Sequence, residues 1–221
     1  MNGAREPPEP PGLPAVTRSV KTTGALRPGM DYDLAIEGAP DSVPGGTVVL
    51  LVHPSTGETD RMDTDFLKTD TDHFLVVSTR TTAREVTQKL EYYDVDEDSA
   101  EILDTLSVER GYSRRGASHI HYVSRPEDVD GILSAIDQFL TDNPGKRRIS
   151  FDSLTELAYY ADEDQALDAL QRLRGLLDRH DAVALVHVSE EVHDEDALAG
   201  FREASDVVIE LDEDGTVVVD D

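Results

Sequence analysis

Six short apolar runs constrain what this chain can fold into: "TVVLLV" (47–52), "HFLVVS" (73–78), "AEILDTL" (100–106), "RRISFD" (147–152), "AVALVHV" (182–188) and "DVVIEL" (206–211). Several are continuous and β-branched rather than alternating with polar residues, which is the pattern of strands covered on both faces of a parallel sheet. Between them lie segments of helical period: a short one near 63–69, then 81–92, 126–141, 163–180 and 194–204. Within 163–180, Ala166, Leu167, Leu170, Leu173, Leu176 and Leu177 recur at helical spacing and define one apolar face. Strand, helix, strand in this rhythm predicts right-handed βαβ units and a three-layer αβα fold with a mainly parallel sheet. "DVVIEL" followed by "GTVVVD" across "DEDG" predicts a C-terminal antiparallel hairpin closing one edge.

Residues 1–29 are rich in Pro and Gly and have no apolar period, so they read as a disordered tail ahead of a domain over 30–221. Met30 is the expected initiator. The chain has 221 residues and carries 20 basic against 47 acidic ones, a formal charge of −27, with the acids spread along its length. Such a surface repels nucleic acid and anionic membranes. Lysine stands only at 21, 68, 89 and 146, and cysteine is absent. An acidic, lysine-poor surface stays hydrated in multimolar salt, which predicts a cytoplasmic protein of a salt-accumulating halophile, archaeal by expectation. No stretch approaches the ~20 apolar residues of a membrane span, and the N-terminus lacks the apolar core of a secretory signal. In this setting most acids are solvent dressing, and clusters of carboxylates carry less functional weight than usual.

In a parallel α/β sheet, ligands sit beyond the carboxyl ends of the strands. The first such turn is "HPSTGETD", from His53 through Pro54, Ser55, Thr56, Gly57, Glu58 and Thr59 to Asp60. A phosphate-binding loop, G-x-x-x-x-G-K-[ST], needs glycines so that backbone N–H groups curl round the phosphates, a lysine for the outer charge and a hydroxyl for Mg²⁺. Aligned without gaps, His53 replaces the first glycine, Glu58 the second, Thr59 the lysine and Asp60 the hydroxyl residue. A one-residue shift sets Gly57-Glu58-Thr59 against G-K-T and puts a carboxylate in place of the ammonium. Neither register leaves a cation. Arg61 comes directly after the turn, and its expected partner is Glu58, Asp60 or Asp65.

Taken together, "IEGAPDSVPGGTVVLLVHPSTGETDRMDTDFL", "HFLVVSTR", "RRISFDSLTEL" and "AVALVHVSEEVHDEDALAGFREASDVVIELDEDG" resemble the RecA-superfamily, KaiC-like ATPases, over roughly Asp33 to Val219. The likeness is strongest to degenerate haloarchaeal members that lack a working phosphate loop, and Phe151 to Leu157 is the best-kept element. The resemblance implies a RecA-like P-loop NTPase fold and a Walker B-like role for Asp152 and Ser153. The alternative is that Asp152 caps the helix starting at Ser153 or Leu154. Active relatives place acids after the second strand to orient water, whereas this chain reads Ser78-Thr79-Arg80-Thr81, and arginine cannot serve as a base. The expectation is a non-catalytic pseudo-ATPase with no catalytic residue and no cofactor, acting on a protein partner: an active KaiC-like paralogue or another copy of itself. The alternative is an ATP-binding protein or weak ATPase that uses Mg²⁺ at Asp152 and one of Arg61, Arg80 or Arg114 for charge.

Other constellations are weaker. His119 and His121 would share one strand face without a third metal ligand. Glu190, Glu191, His193, Asp194 and Glu195 read as a solvated helix start. The arginine-rich loop 107–118, with Arg110, Arg114, Arg115 and Tyr112, is a candidate site for an anionic ligand or acidic partner; otherwise it is a mobile loop whose arginines offset nearby acids. No serine sits on a G-x-S-x-G elbow.

Overall fold

The computed structural model describes residues 29–36, 38–55, 59–95, 99–112, 117–211 and 217–220, with 218–220 as backbone only. Among the described residues ten strands and six helices succeed one another as β1 (Asp31–Asp33), β2 (Ser42–Pro44), β3 (Val48–His53), α1 (Asp60–Lys68), β4 (His73–Ser78), α2 (Ala83–Tyr92), β5 (Ala100–Asp104), β6 (Ile120–Tyr122), α3 (Val129–Asp142), β7 (Arg147–Asp152), α4 (Leu154–Ala161), α5 (Glu163–His180), β8 (Val183–Ser189), α6 (Glu195–Ala204), β9 (Val207–Leu211) and β10 (Val217–Asp220).

The main sheet has the order β10-β9-β3-β8-β7-β4-β5-β6. All its pairings are parallel except that of β10 with β9, the hairpin expected from the sequence. Every residue of β3, β7 and β8 is buried, as continuous apolar runs require of strands with helices on both faces. Alternate residues divide the core. Val48, Leu50 and Val52 pack on one side with apolar residues of α3 to α6, while Val49 and Leu51 pack on the other with α1, α2 and β1. The architecture is therefore the three-layer α/β fold.

The predicted boundaries move where side chains intervene. α3 starts at Val129 rather than 126, because Asp128 takes the N-cap and its carboxylate accepts the Gly131 N–H. β5 stops at Asp104 instead of 106, because the Asp104 carboxylate accepts the N–H groups of Leu106 (2.9 Å) and Ser107 (2.8 Å) and turns the chain. His121 lies in β6 and His119 just before it; β6 is only three residues long.

A short antiparallel pair, β1 and β2, straps the opposite end of the molecule. Tyr32 donates its hydroxyl to the Asp181 carbonyl (2.7 Å), and the Met30 N–H bonds the Asp181 carboxylate (2.8 Å). Beneath the strap the buried Arg148 guanidinium lies between the rings of Tyr32 (5.3 Å) and Phe66 (4.9 Å) and donates to the Asp33 carbonyl (2.7 Å). Burial pushes Arg148 down to about 10. The predicted tail over 1–29 lies, apart from Gly29, outside the described residues. No helix among the described residues is long and apolar enough to cross a membrane.

Candidate functional site

β3 leads into α1 on one face of the sheet, whereas its neighbour β8 leads into α6 on the other. The carboxyl ends of β3 and β8 thus form a topological switch point, the place where an open α/β sheet has a crevice. β8 also separates β3 from β7, so His53 and Asp152 stand at this edge with one strand between them.

The gap between β3 and α1 matches the spacing of a phosphate loop in its ungapped register. The strand ends at His53, Thr59 occupies the N-cap and α1 begins at Asp60, three residues before the predicted start. Thr56, Gly57 and Glu58 lie outside the described residues, while Pro54 is buried and Ser55 exposed. Both the backbone N–H (2.7 Å) and the hydroxyl of Ser55 bind the Glu191 carboxylate from the turn after β8. His53 is buried, and its Nδ1 lies 2.9 Å from the Pro54 carbonyl, so Nδ1 carries the proton and Nε2 is a bare acceptor. Burial pushes its imidazole below the ordinary value, and the adjacent His187 and Arg80 push the same way.

Cations of the protein itself hold the acids of this edge. Asp63, in the first turn of α1, is fully buried and pairs with Lys89 Nζ of α2 at 2.9 Å. The same ammonium reaches Asp60 at 3.4 Å. Desolvation alone would raise the Asp63 pKa and lower that of Lys89; their mutual attraction, helped by His187 beside Asp63, overcomes it and holds both ionised. Asp152, at the end of β7, pairs through Oδ2 with Arg80 Nη2 at 3.2 Å. Burial opposes the Arg80 charge, but Asp152 and Glu156 more than offset it and leave the guanidinium more basic than normal. Arg61 is exposed and turns away to Asp65 at 3.6 Å.

Ser153, and not Asp152, caps α4: its hydroxyl accepts the Glu156 N–H, and Asp152 is left free for Arg80. The Asp152-Ser153 peptide is cis. Thr79 grips this corner, its hydroxyl donating to the Ser153 carbonyl (2.7 Å) and accepting the Ser153 N–H (2.6 Å).

Around these pairs lies a layer of buried polar atoms that make no hydrogen bond: His53 Nε2, Ser150 Oγ, Asp152 Oδ1, Arg80 Nε and His187 Nδ1, with His187 Nε2 and Asp63 Oδ1 facing each other at 3.5 Å. Among the described residues no group of three or more His, Asp or Glu side chains could hold a metal ion.

The acids of 190–195 part company. Glu191 takes Ser55, Asp194 caps α6 by accepting the Ala197 N–H, and His193 turns inward. His193 links Glu163 (2.9 Å from Nδ1) to Thr155 (3.0 Å from Nε2), and the Thr155 hydroxyl also accepts the Ser189 N–H. With Thr155 buried, this carboxylate-imidazole-hydroxyl chain is a strut tying α4 to the end of β8. Of the arginine-rich loop, Arg110 and Tyr112 are exposed, and Arg114 and Arg115 lie outside the described residues. A cavity of about 660 Å³ lies at the other end of the sheet, between Gly45, Gly46 and α5.

Sequence reasoning missed Lys89, Asp63, His187 and Asp104. Lys89 left one signal: it is one of only four lysines in a chain whose other basic residues are arginine.

Residues 30–221 match DUF7090, a family of unknown function. The chain belongs to the DUF7090 family. No curated protein matches it in sequence. In fold it is similar to a KaiC-like protein from the hyperthermophilic archaeon Pyrococcus horikoshii OT3, at 17% identity and a TM-score of 0.59, over 87% of this chain and 88% of that one. The ATPase of a type III secretion system of pathogenic bacteria is similar at 12% identity and a TM-score of 0.57, over 84% of this chain and 57% of that one. The ATPase domain of G40P is similar at 13% and 0.52, over 76% and 70%. At these identities the likeness is one of fold, and the DUF7090 chain shares the RecA-type ATPase architecture.

Proposed function

We propose that this DUF7090 protein is a non-catalytic relative of the KaiC-like ATPases, a pseudo-ATPase that works as a regulatory or signalling module through protein contact. One observation carries the reading: Lys89 and Arg80 of the protein neutralise the acids of the nucleotide edge, at 2.9 Å from Asp63 and 3.2 Å from Asp152. A Mg-nucleotide does not fit such an edge. The lysine position holds Thr59 and the metal-hydroxyl position Asp60, so the triphosphate would meet carboxylates where it needs cations, at roughly 4 kcal/mol per close like-charge pair. The free Oδ1 of Asp152 does not offset this, because its other oxygen is already bound to a guanidinium.

Isothermal titration with Mg-ATP in multimolar KCl tests the reading, and micromolar binding with turnover overturns it. The rival, an ATP-binding protein with an unconventional loop, draws on Arg80, whose charge bears on both His53 and Asp60 beside the turn. On that reading Arg80→Ala abolishes the binding seen by titration. The acidic, lysine-poor composition supports a place in the cytoplasm of a salt-accumulating archaeon, and a melting temperature that rises from low to multimolar KCl is the expected result.

A further inference from the structure

Asp104 closes β5 and organises the turn beyond it. Fully buried, its carboxylate accepts the Leu106 and Ser107 N–H groups, the Ser107 hydroxyl (2.6 Å) and the Ala83 N–H that opens α2 (2.7 Å). Thr105 N–H and hydroxyl both bond the Ser78 carbonyl. The turn then closes on itself through Arg110 N–H to Leu106 O, Gly111 N–H to Val108 O and Tyr112 N–H to Ser107 O, with Gly111 at φ +68° supplying the left-handed residue the bend needs. Residues 105–112 thus form a braced turn fixed to the start of α2.

Arg84 follows Ala83, whose N–H this brace holds, so exposed Arg84 stands at the start of α2, the helix end to which the turn bearing exposed Arg110 and Tyr112 is fixed. Both guanidiniums bear on Glu85, whose carboxylate is already committed to the N–H and hydroxyl of Thr82. Elsewhere at the surface, Arg61, Arg125, Arg172, Arg174, Arg179 and Arg202 each have an acid within 4.0 Å. Among the described residues Arg84 and Arg110 do not, on a chain of formal charge −27. Tyr112 is 54% exposed, one of four large apolar side chains so placed among the described residues. Arginine and tyrosine held on a rigid scaffold are the residue types that dominate binding energy at interfaces.

We propose that Arg84, Arg110 and Tyr112 form a docking surface for an acidic protein segment, two of its carboxylates pairing with the guanidiniums and an apolar side chain lying on the tyrosine ring. A nucleic acid fits less well, because two arginines on an otherwise acidic face cannot follow a phosphate backbone. The proposal rests on the protein-contact reading of the function and names the chemistry of the partner.

The probe is a dye-labelled Asp/Glu-rich peptide containing one phenylalanine, monitored by fluorescence anisotropy in KCl with the full chain. Wild type binds it, R84E/R110E binds at least about tenfold more weakly, and Tyr112→Ser weakens it further. The charge-swapped variant in turn binds a Lys-rich version of the peptide. All the substituted surface residues are exposed, and unchanged urea unfolding verifies the fold. Absence of binding by wild type overturns the proposal, as does equal binding by R84E/R110E or arginine-dependent binding of single-stranded DNA. So does self-association of wild type, seen by sedimentation, that R84E/R110E abolishes without any peptide binding. Mg-ATP turnover alongside arginine-dependent peptide binding sinks the pseudo-ATPase reading and leaves this surface standing.

Discussion

Lys89 reaches from α2 under the first turn of α1 and holds the fully buried Asp63 at 2.9 Å. Removing one member of such a pair strands the other charge in the interior, at a cost of about 3–5 kcal/mol. Lys89→Met is therefore expected to lower unfolding free energy by that amount in urea titrations. Asp63→Leu in the same background restores most of it, because two apolar side chains leave no buried charge behind.

His53 makes stability depend on pH in a defined direction. Its folded-state pKa lies below the ordinary 6.5, so the unfolded chain binds the proton more readily. The contribution is complete above about 6.5 and is lost as pH falls below that value. The lowered carboxylates, Asp63 among them, act in the same sense only nearer their ordinary range around 4. Between pH 7 and 5.5 the melting temperature of wild type is expected to fall, and His53→Gln should flatten that fall.

Asp104→Ala leaves the Ala83, Leu106 and Ser107 N–H groups without their acceptor. The expected loss is about 3–5 kcal/mol, with proteolytic cleavage appearing within 105–118 well before global unfolding. Asp104→Asn keeps one carbonyl acceptor and should lose less on both readouts.

If the phosphate loop is the missing piece, E58G/T59K/D60T restores the residue types a triphosphate needs. This triple variant is expected to gain about ten- to a hundredfold in Mg-ATP affinity, the worth of a charge-assisted contact. Adding Arg80→Ala frees Asp152 and should raise the affinity again. Titration calorimetry reads both steps.

The interior strands were legible because β3, β4, β7 and β8 bury both faces, and burial writes an unbroken apolar run. Helix α5 was legible to the residue at both ends, since Asp162 caps it and Asp181 ends it in the left-handed region. Three-residue strands such as β1, β2 and β6 leave no period to read. The spacing from His53 to Asp60 showed which chemistry is absent from the first turn. Its replacement comes from α2 and from the turn after β4: Lys89 lies 29 residues from Asp60, and Arg80 lies 72 from Asp152. Pairing at such distance is set by the fold, and no local pattern announces it.

The strap sealed by Tyr32 on Asp181 joins positions 149 apart in the chain. Its acceptor exists only after α5 has ended and turned into β8, so β1 can dock only when the C-terminal half is in place. β1 is therefore expected to open before the central sheet does. Its amides should exchange hydrogen ahead of the central sheet, and each opening would let water reach Arg148 while the edge bearing His53 and Asp152 stayed closed.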